Sequence, residues 1–400
     1  MQQAPEPFAP TKLGPVSLRN RIVKAATFEG VTREHVVSDA LVEFHRRVAR
    51  GGVGMTTVAF CAVSSDGCGT PNEMIVSDAA VPGLRRLADA VHAEGAAVSA
   101  QIGHAGAVTA ATGHQGLSPS PIFSRMAMRR TREVSEGDIS RITDDFAQAA
   151  RRVAESGFDA VEIHLGHGYL LSEFLSPKLN RRKDQWGGSL ENRARFPRQV
   201  ARAVRDAVGD RLAVLAKLNM ADGVPGGLWL DESVEVARML EEDGALDAIE
   251  LTGGSSLENP MYLFRGEAPI QEMADTMPGL LGVAFRMFGR RFLPSYPFEE
   301  AYFLSYARQF RAALEMPLIL LGGINRLDTI HKALAEGFDF VAMGRALLRE
   351  PDLVKRMMAD ASAESLCVHC NKCMPTIYRG THCVLVSADR GSSDDRQSAA

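Results

Sequence analysis

The 400 residues include 45 Lys and Arg against 49 Asp and Glu, a formal charge of −4, and are 46% hydrophobic and 24% charged. Such a composition excludes a disordered chain and leaves no basic excess to neutralise phosphates, so no nucleic-acid partner is expected. No apolar run reaches the roughly 18 residues of a spanning helix, and the first ten residues have neither a basic nor an apolar leader region, so a cytoplasmic location is the default.

Short aliphatic runs alternate with stretches of helical periodicity along the chain, the pattern of repeated βα units. Strands are predicted near residues 21–26, 54–58, 96–102, 160–164, 213–218, 248–251, 317–322 and 340–343. Helical patterns fill the gaps at 39–50, 81–94, 138–156, 189–208, 233–242, 299–314, 326–336 and 352–359. A doubly wound sheet would give the same alternation, but no G-x-G-x-x-G follows the first strand. The α/β class is therefore read as a (β/α)8 TIM barrel with its site on the loops after the strands. The barrel domain is placed at 1–360, interrupted by a long insertion after strand six at about 253–297. Within it, residues 279–293 interleave Arg286, Arg290 and Arg291 with Leu280, Phe285, Phe288 and Phe292. That stretch reads as a lid or subunit-contact helix, or else as a weak membrane-surface contact. Residues 361–388 form a cysteine-containing extension, and 389–400 read as a disordered tail.

The densest polar cluster follows the fourth predicted strand, where His164, His167 and Tyr169 leave the strand end together. Imidazole N–H groups can hold a developing oxyanion, and a phenol can deliver a proton to a carbanionic centre. The trio suggests carbonyl activation plus proton delivery; a metal site would need a third ligand that is not nearby. At the last two strands, Gly322 and Gly323 offer backbone N–H groups before a helix, and Gly344 stands beside the guanidinium of Arg345. Loops seven and eight of such barrels commonly bind phosphate, so a phosphorylated cofactor is expected there.

The run His164-Leu165-Gly166-His167-Gly168-Tyr169-Leu170-Leu171-Ser172-Glu173-Phe174-Leu175-Ser176-Pro177 continues through Asn180, Arg182, Asp184, Gly187-Gly188-Ser189 and Glu191-Asn192-Arg193. It closely resembles the old yellow enzyme, or NADH:flavin oxidoreductase, family. The likeness extends from Leu13-Gly14 to Gly344-Arg345, and the barrel part is similar to 2,4-dienoyl-CoA reductase and trimethylamine dehydrogenase. The resemblance implies FMN as cofactor, NAD(P)H as hydride source and an activated alkene of the enone or enoate type as acceptor. By the same resemblance, His164 and His167 bind the acceptor oxygen, Tyr169 donates the proton, and Gln101 meets the pyrimidine edge of the flavin.

Three positions depart from the family pattern. Lys217 stands where many relatives place an arginine near flavin N1 and O2, keeping the charge without the planar fork. In Lys24-Ala25-Ala26-Thr27-Phe28, Phe28 occupies the position where relatives usually carry a hydroxyl or thiol, so Thr27 takes that role only if the register slips by one; Ala25 and Ala26 border the flavin. Trp186 replaces a usual tyrosine, with an effect expected on packing alone.

Cys367, Cys370, Cys373 and Cys383 form C-x2-C-x2-C-x9-C, a spacing that lets several thiolates converge on one centre. It is similar to the iron–sulfur segment of the larger relatives, though their last interval is longer. A [4Fe-4S] cluster, a zinc site that could recruit His369 or His382, and a metal-free loop all stay open. The lead expectation is thus an FMN-dependent reductase of ping-pong type, acting on a small molecule as a homo-oligomer. An amine or N-methyl dehydrogenase passing electrons through the cysteines, and a non-catalytic flavin- or metal-binding adaptor, are the alternatives.

Overall fold

A computed structural model describes residues 4–109, 113–124 and 127–386; the tail expected to be disordered, 389–400, lies outside the described residues. Eight parallel strands form the barrel: β1 (Ile22–Lys24), β2 (Met55–Ala62), β3 (Ala97–Gly103), β4 (Ala160–Leu165), β5 (Ala213–Asn219), β6 (Ala248–Thr252), β7 (Leu318–Leu321) and β8 (Phe340–Met343). Each pairs with its sequence neighbour, and β8 pairs with β1 through Val341 opposite Ile22, which closes the ring. These strands are buried on both faces, so they read in sequence as apolar runs and not as alternation.

The outer helices include α1 (Asp39–Arg50), α2 (Val81–His92), α3 (Glu136–Glu155), α4 (Leu190–Val208), α5 (Leu230–Glu242), α6 (Leu304–Ala313), α7 (Leu327–Ala335) and α8 (Leu353–Ala359). Several of them start where a side chain satisfies the free N–H groups of the first turn. Ser38 accepts from the Leu41 N–H at α1, and Ser135 and Asp138 form a reciprocal capping box at α3.

Two boundaries differ from the sequence reading by four residues or more. Strand β2 runs four residues beyond the predicted 58, because Ala59-Phe60-Cys61-Ala62 lacks the β-branched residues that mark strands. Helix α6 starts five residues after the predicted 299. Ala301 takes a left-handed φ of 53°, and the Glu300 carboxylate is committed to the Asn325 N–H at 2.7 Å.

A hairpin of Thr11–Leu13 and Val16–Leu18 closes the N-terminal end of the barrel. Its Leu13 and Leu18 pack on inward residues Met55, Ala97, Leu215, Ile319 and Phe340. With that end filled, only the C-terminal ends of the strands can hold a site. The region after β6 carries helices Pro260–Phe264, Ile270–Asp275 and Gly279–Phe288. On the last, Leu280, Leu281 and Met287 are exposed, Arg286 pairs with Asp275, and the Arg291 guanidinium lies over Phe288. Among the described residues no helix is long and apolar enough to cross a membrane. The cysteine segment folds back on the barrel, where the Thr381 N–H donates to the Glu29 carbonyl at 2.7 Å.

Candidate active site

A cavity of about 630 Å³ including its open mouth lies at the C-terminal ends of β1, β5, β7 and β8. Nine residues singled out in the sequence line it: Ala25, Ala26, Thr27, His167, Lys217, Gly322, Gly323, Gly344 and Arg345. Four further wall residues, Leu263, Phe264, Tyr302 and Asn325, carried no sequence signal, and His369, read in the sequence only as an alternative zinc ligand, lines the cavity as well.

One end is shaped for an anion. Gly322 and Gly323 follow β7 with φ of 115° and 71°, conformations that L side chains rarely adopt. A Cβ on Gly323 would stand 2.7 Å from the Tyr302 ring and 2.8 Å from Phe298. The turn at Gly322 and Gly323 therefore presents bare backbone, as a phosphate cradle requires. Arg345 reaches this end; its guanidinium donates to the Arg265 carbonyl at 2.9 Å and to the Asn371 side chain. Thr27 puts a buried hydroxyl oxygen into the cavity wall without a hydrogen-bond partner, whereas Phe28 turns away to pack near Phe60. At this loop it is Thr27 and not Phe28 that lines the cavity, with its hydroxyl left for a polar group of whatever the cavity holds.

His164 is the next-to-last residue of β4, and the turn through Gly166, His167 and Gly168 leads into the short helix Leu170–Leu175. The His164 and His167 ring centroids are 5.0 Å apart and nearly perpendicular; Tyr169 stacks on His164 at 4.5 Å. The Gly166 N–H donates to His164 Nδ1 at 3.2 Å, which assigns the ring proton to Nε2. His167 Nε2 lies 2.8 Å from Thr252 Oγ1. Burial holds His164 well below its ordinary range, with His167 and Lys217 adding to the effect. His167 is lowered to about 3, by burial and then by Lys217. Both imidazoles are therefore neutral near pH 7. Burial, then Glu73, pushes the Tyr169 phenol upward, so it keeps its proton and acts as a donor.

Gln101 and Lys217 are brought together by a residue the sequence reading passed over. Glu162 Oε2 accepts from Gln101 Nε2 at 2.9 Å and lies 2.8 Å from Lys217 Nζ. Glu250 Oε1 lies 2.9 Å from the same ammonium. Burial would lower Lys217, but Glu162 and Glu250 outweigh it and raise the group, so it stays cationic. The period-two spacing of Glu162 and His164 on one strand was a usable signal for Glu162. Trp186 makes an edge-to-face contact with Phe196 at 6.4 Å, consistent with packing.

Cys367, Cys370, Cys373 and Cys383 line a second, smaller cavity together with Arg345, Arg349 and Asn371. Arg345 therefore borders both cavities. Among the described residues no three His, Cys, Asp or Glu stand close enough to hold a single metal ion. Of the alternative nitrogen ligands, His382 has its Nδ1 2.8 Å from the Gly380 carbonyl, whereas His369 has its Nε2 3.0 Å from Asn325 Nδ2 and its Nδ1 3.9 Å from Cys367 Sγ.

The profile of the NADH:flavin oxidoreductase / NADH oxidase family matches residues 6–252, and that of a histidine biosynthesis protein family matches 299–376. The chain is 56% identical over 392 residues to the 4,4'-dithiodibutanoate disulfide reductase of Rhodococcus erythropolis, covering 97% of each. It is 34% identical to a metal reductase of Desulforamulus reducens, over 93% of this chain but only 52% of that longer protein. Among solved structures, a 2-naphthoyl-CoA reductase complex aligns with a TM-score of 0.76 at 27% identity, over 92% of this chain and 54% of that one. Morphinone reductase aligns with a TM-score of 0.70 at 26% identity, over 90% and 92% of the two chains.

Proposed function

The chain belongs to the NADH:flavin oxidoreductase / NADH oxidase family, and from that premise we propose that it is an FMN-dependent reductase transferring hydride from NAD(P)H to an activated alkene of the enone or enoate type. The observation that carries this reading is the neutral, mutually packed trio His164, His167 and Tyr169 beside a cavity with a glycine-lined anion end. FMN, when bound, supplies hydride chemistry that no side chain can. Gly322, Gly323, Gly344 and Arg345 would hold its phosphate, Thr27 and Gln101 its ring edges, and Lys217 would place a cation beside it. His164 Nε2–H and His167 hold the acceptor's carbonyl or nitro oxygen and stabilise the negative charge that develops there. Tyr169 gives its proton to the carbon next to that group. The test is anaerobic NAD(P)H oxidation by FMN-loaded protein with 2-cyclohexenone; no turnover on any enone or enoate would sink the reading. A purely adaptor role is set aside by membership in an enzyme family.

A second acceptor class is favoured by the relative at 56% identity, which is named for reducing a disulfide. In that reading hydride goes to one sulfur, the S–S bond breaks, and the other sulfur leaves as thiolate; the sum is a disulfide, NAD(P)H and a proton giving two thiols and NAD(P)⁺. Cys61 and Cys68 do not mediate it by exchange, because burial pushes both thiols up, Cys68 to about 12. Parallel assays with 4,4'-dithiodibutanoate separate the two classes.

For the second cavity, we propose that Cys367, Cys370, Cys373 and Cys383 ligate a [4Fe-4S] cluster. Iron and acid-labile sulfide, assayed on protein purified without air, test this; protein that carries neither after reconstitution speaks against it.

A further inference from the structure

Three ionisable side chains meet inside the barrel on adjacent strands, directly below the cavity. Lys217 projects from β5 between Glu162 of β4 and Glu250 of β6, and none of the three side chains is more than 2% exposed. Two carboxylates face one ammonium. The next cation contributing to this field, Lys24, is committed elsewhere, with its Nζ 3.2 Å from Glu29 Oε1. Were both carboxylates ionised, the group would hold one uncompensated negative charge out of reach of water, a state that buried groups avoid by taking up a proton.

The two carboxylates are not equivalent. Glu162 accepts from both Gln101 and Lys217. The Glu250 Oε1 has the Lys217 ammonium at 2.9 Å and no second donor among the described residues. Glu250 is therefore the member able to carry a proton. Burial, opposed by Lys217 and reinforced by Glu162, pushes it up to about 7. Lys217 in turn reaches the cavity wall, so a charge arriving in the cavity is felt through it. At the effective dielectric of buried sites, one added charge nearby changes a proton affinity by about one to two orders of magnitude.

We propose that Glu250 is the charge-compensating residue of the reaction, taking one proton from solvent when the bound flavin accepts hydride and releasing it when the hydride passes on. This rests on the reading that FMN occupies the cavity. The balance is complete. NAD(P)H supplies two electrons and one proton as hydride; the bound cofactor gains one negative charge; and the Glu250 carboxylate becomes a carboxylic acid with a proton from water. Each change reverses when the acceptor takes the hydride. Glu250 works through Lys217, as a positioning residue.

The experiment is anaerobic potentiometry of FMN-loaded protein between about pH 7 and pH 9, the interval in which a carboxyl raised by the incoming charge would titrate. The expected result is about 1.5 to 1.8 protons taken up per two electrons at the middle of the interval in the natural protein and one in Glu250→Gln, with a correspondingly shallower slope of potential against pH in the variant. One proton per two electrons in the natural protein, or an unchanged slope in the variant, overturns the proposal. A measurement on the natural protein alone guards against a variant that fails to fold. The reduced-minus-oxidised infrared difference spectrum should contain a protonated-carboxyl band that moves in D2O, and its absence also overturns the proposal. Protein that takes up no FMN, judged by its visible spectrum, overturns both this inference and the reading beneath it; protein that binds FMN yet shows a single proton overturns this inference alone.

Discussion

The imidazole of His369 lies face to face with the Phe298 ring, centroids 3.5 Å apart and planes 7° from parallel, at the wall of the cavity assigned to the cofactor. Its Nδ1 is 3.9 Å from Cys367 Sγ, so the cysteine segment reaches the barrel site through this ring as well as through the Asn371–Arg345 contact. A stacked aromatic pair adds about 0.5–1.5 kcal/mol beyond its buried area, close to a factor of ten at most. His369→Ala is expected to weaken FMN retention by up to about tenfold on that basis. Flavin fluorescence released on dilution measures it, and unchanged release would show that the stack does not support the cofactor.

Tyr169→Phe keeps the ring stacked on His164 and removes only the proton. Turnover of an enone is expected to fall by about 10²- to 10³-fold, within the usual range for a general acid, while reduction of the flavin by NAD(P)H stays unchanged in stopped flow. A leaving thiolate needs little protonation, so disulfide turnover should fall by less than about tenfold. Equal losses on both substrates would contradict this division of roles.

Burial of neutral His164 and His167 has a consequence for stability. Their folded values lie below the unfolded value of about 6.5, so the unfolded chain binds more protons once the pH drops below it. Their contribution is fully present above about pH 6.5 and is lost as the pH falls toward the folded values. His167→Gln should therefore lose less Tm than the natural protein between about pH 7 and pH 5. A parallel loss in the two proteins would assign acid lability to other groups.

Glu73 has the opposite sign. Burial pushes this carboxyl up to about 8, above its unfolded value, so the folded chain binds the extra proton. Stability then falls as the pH rises from about 4.3 to the folded value, and Glu73→Gln, which cannot ionise, should gain up to roughly 3–4 kcal/mol near pH 7 and nothing near pH 4. Chemical denaturation at the two pH values measures it. A variant destabilised at both would mean that the amide does not fit the turn at Gly69, whose N–H the carboxylate accepts.

Gly323→Ala tests the anion end. The added methyl would meet Tyr302 and Phe298 carbons at under 3 Å in a left-handed backbone, a conformational cost of about 1–3 kcal/mol. FMN affinity is expected to drop by at least about tenfold with the barrel still folded by circular dichroism. Undiminished binding would remove the phosphate from this turn.

Periodicity along the chain was enough to mark all eight barrel strands, because buried parallel strands must be apolar runs and the helices between them must each turn one apolar face inward. His164, His167, Gly322, Gly323 and Arg345 were picked out because in this topology a residue at a strand's C-terminal end has the barrel mouth to occupy, and all of them but His164 line the cavity; Lys217 was picked out only through the family resemblance. What folding alone decided were the meetings between residues far apart in sequence. Glu250 faces Lys217 because their strands pair in that register, and His369 reaches the cavity because the cysteine segment turns back over β7 and β8. A lone glutamate in an apolar strand or a histidine between two cysteines carries no periodic signal. Its partners are set by strand register and chain return, which depend on the packing of the whole barrel and not on any local run of residues.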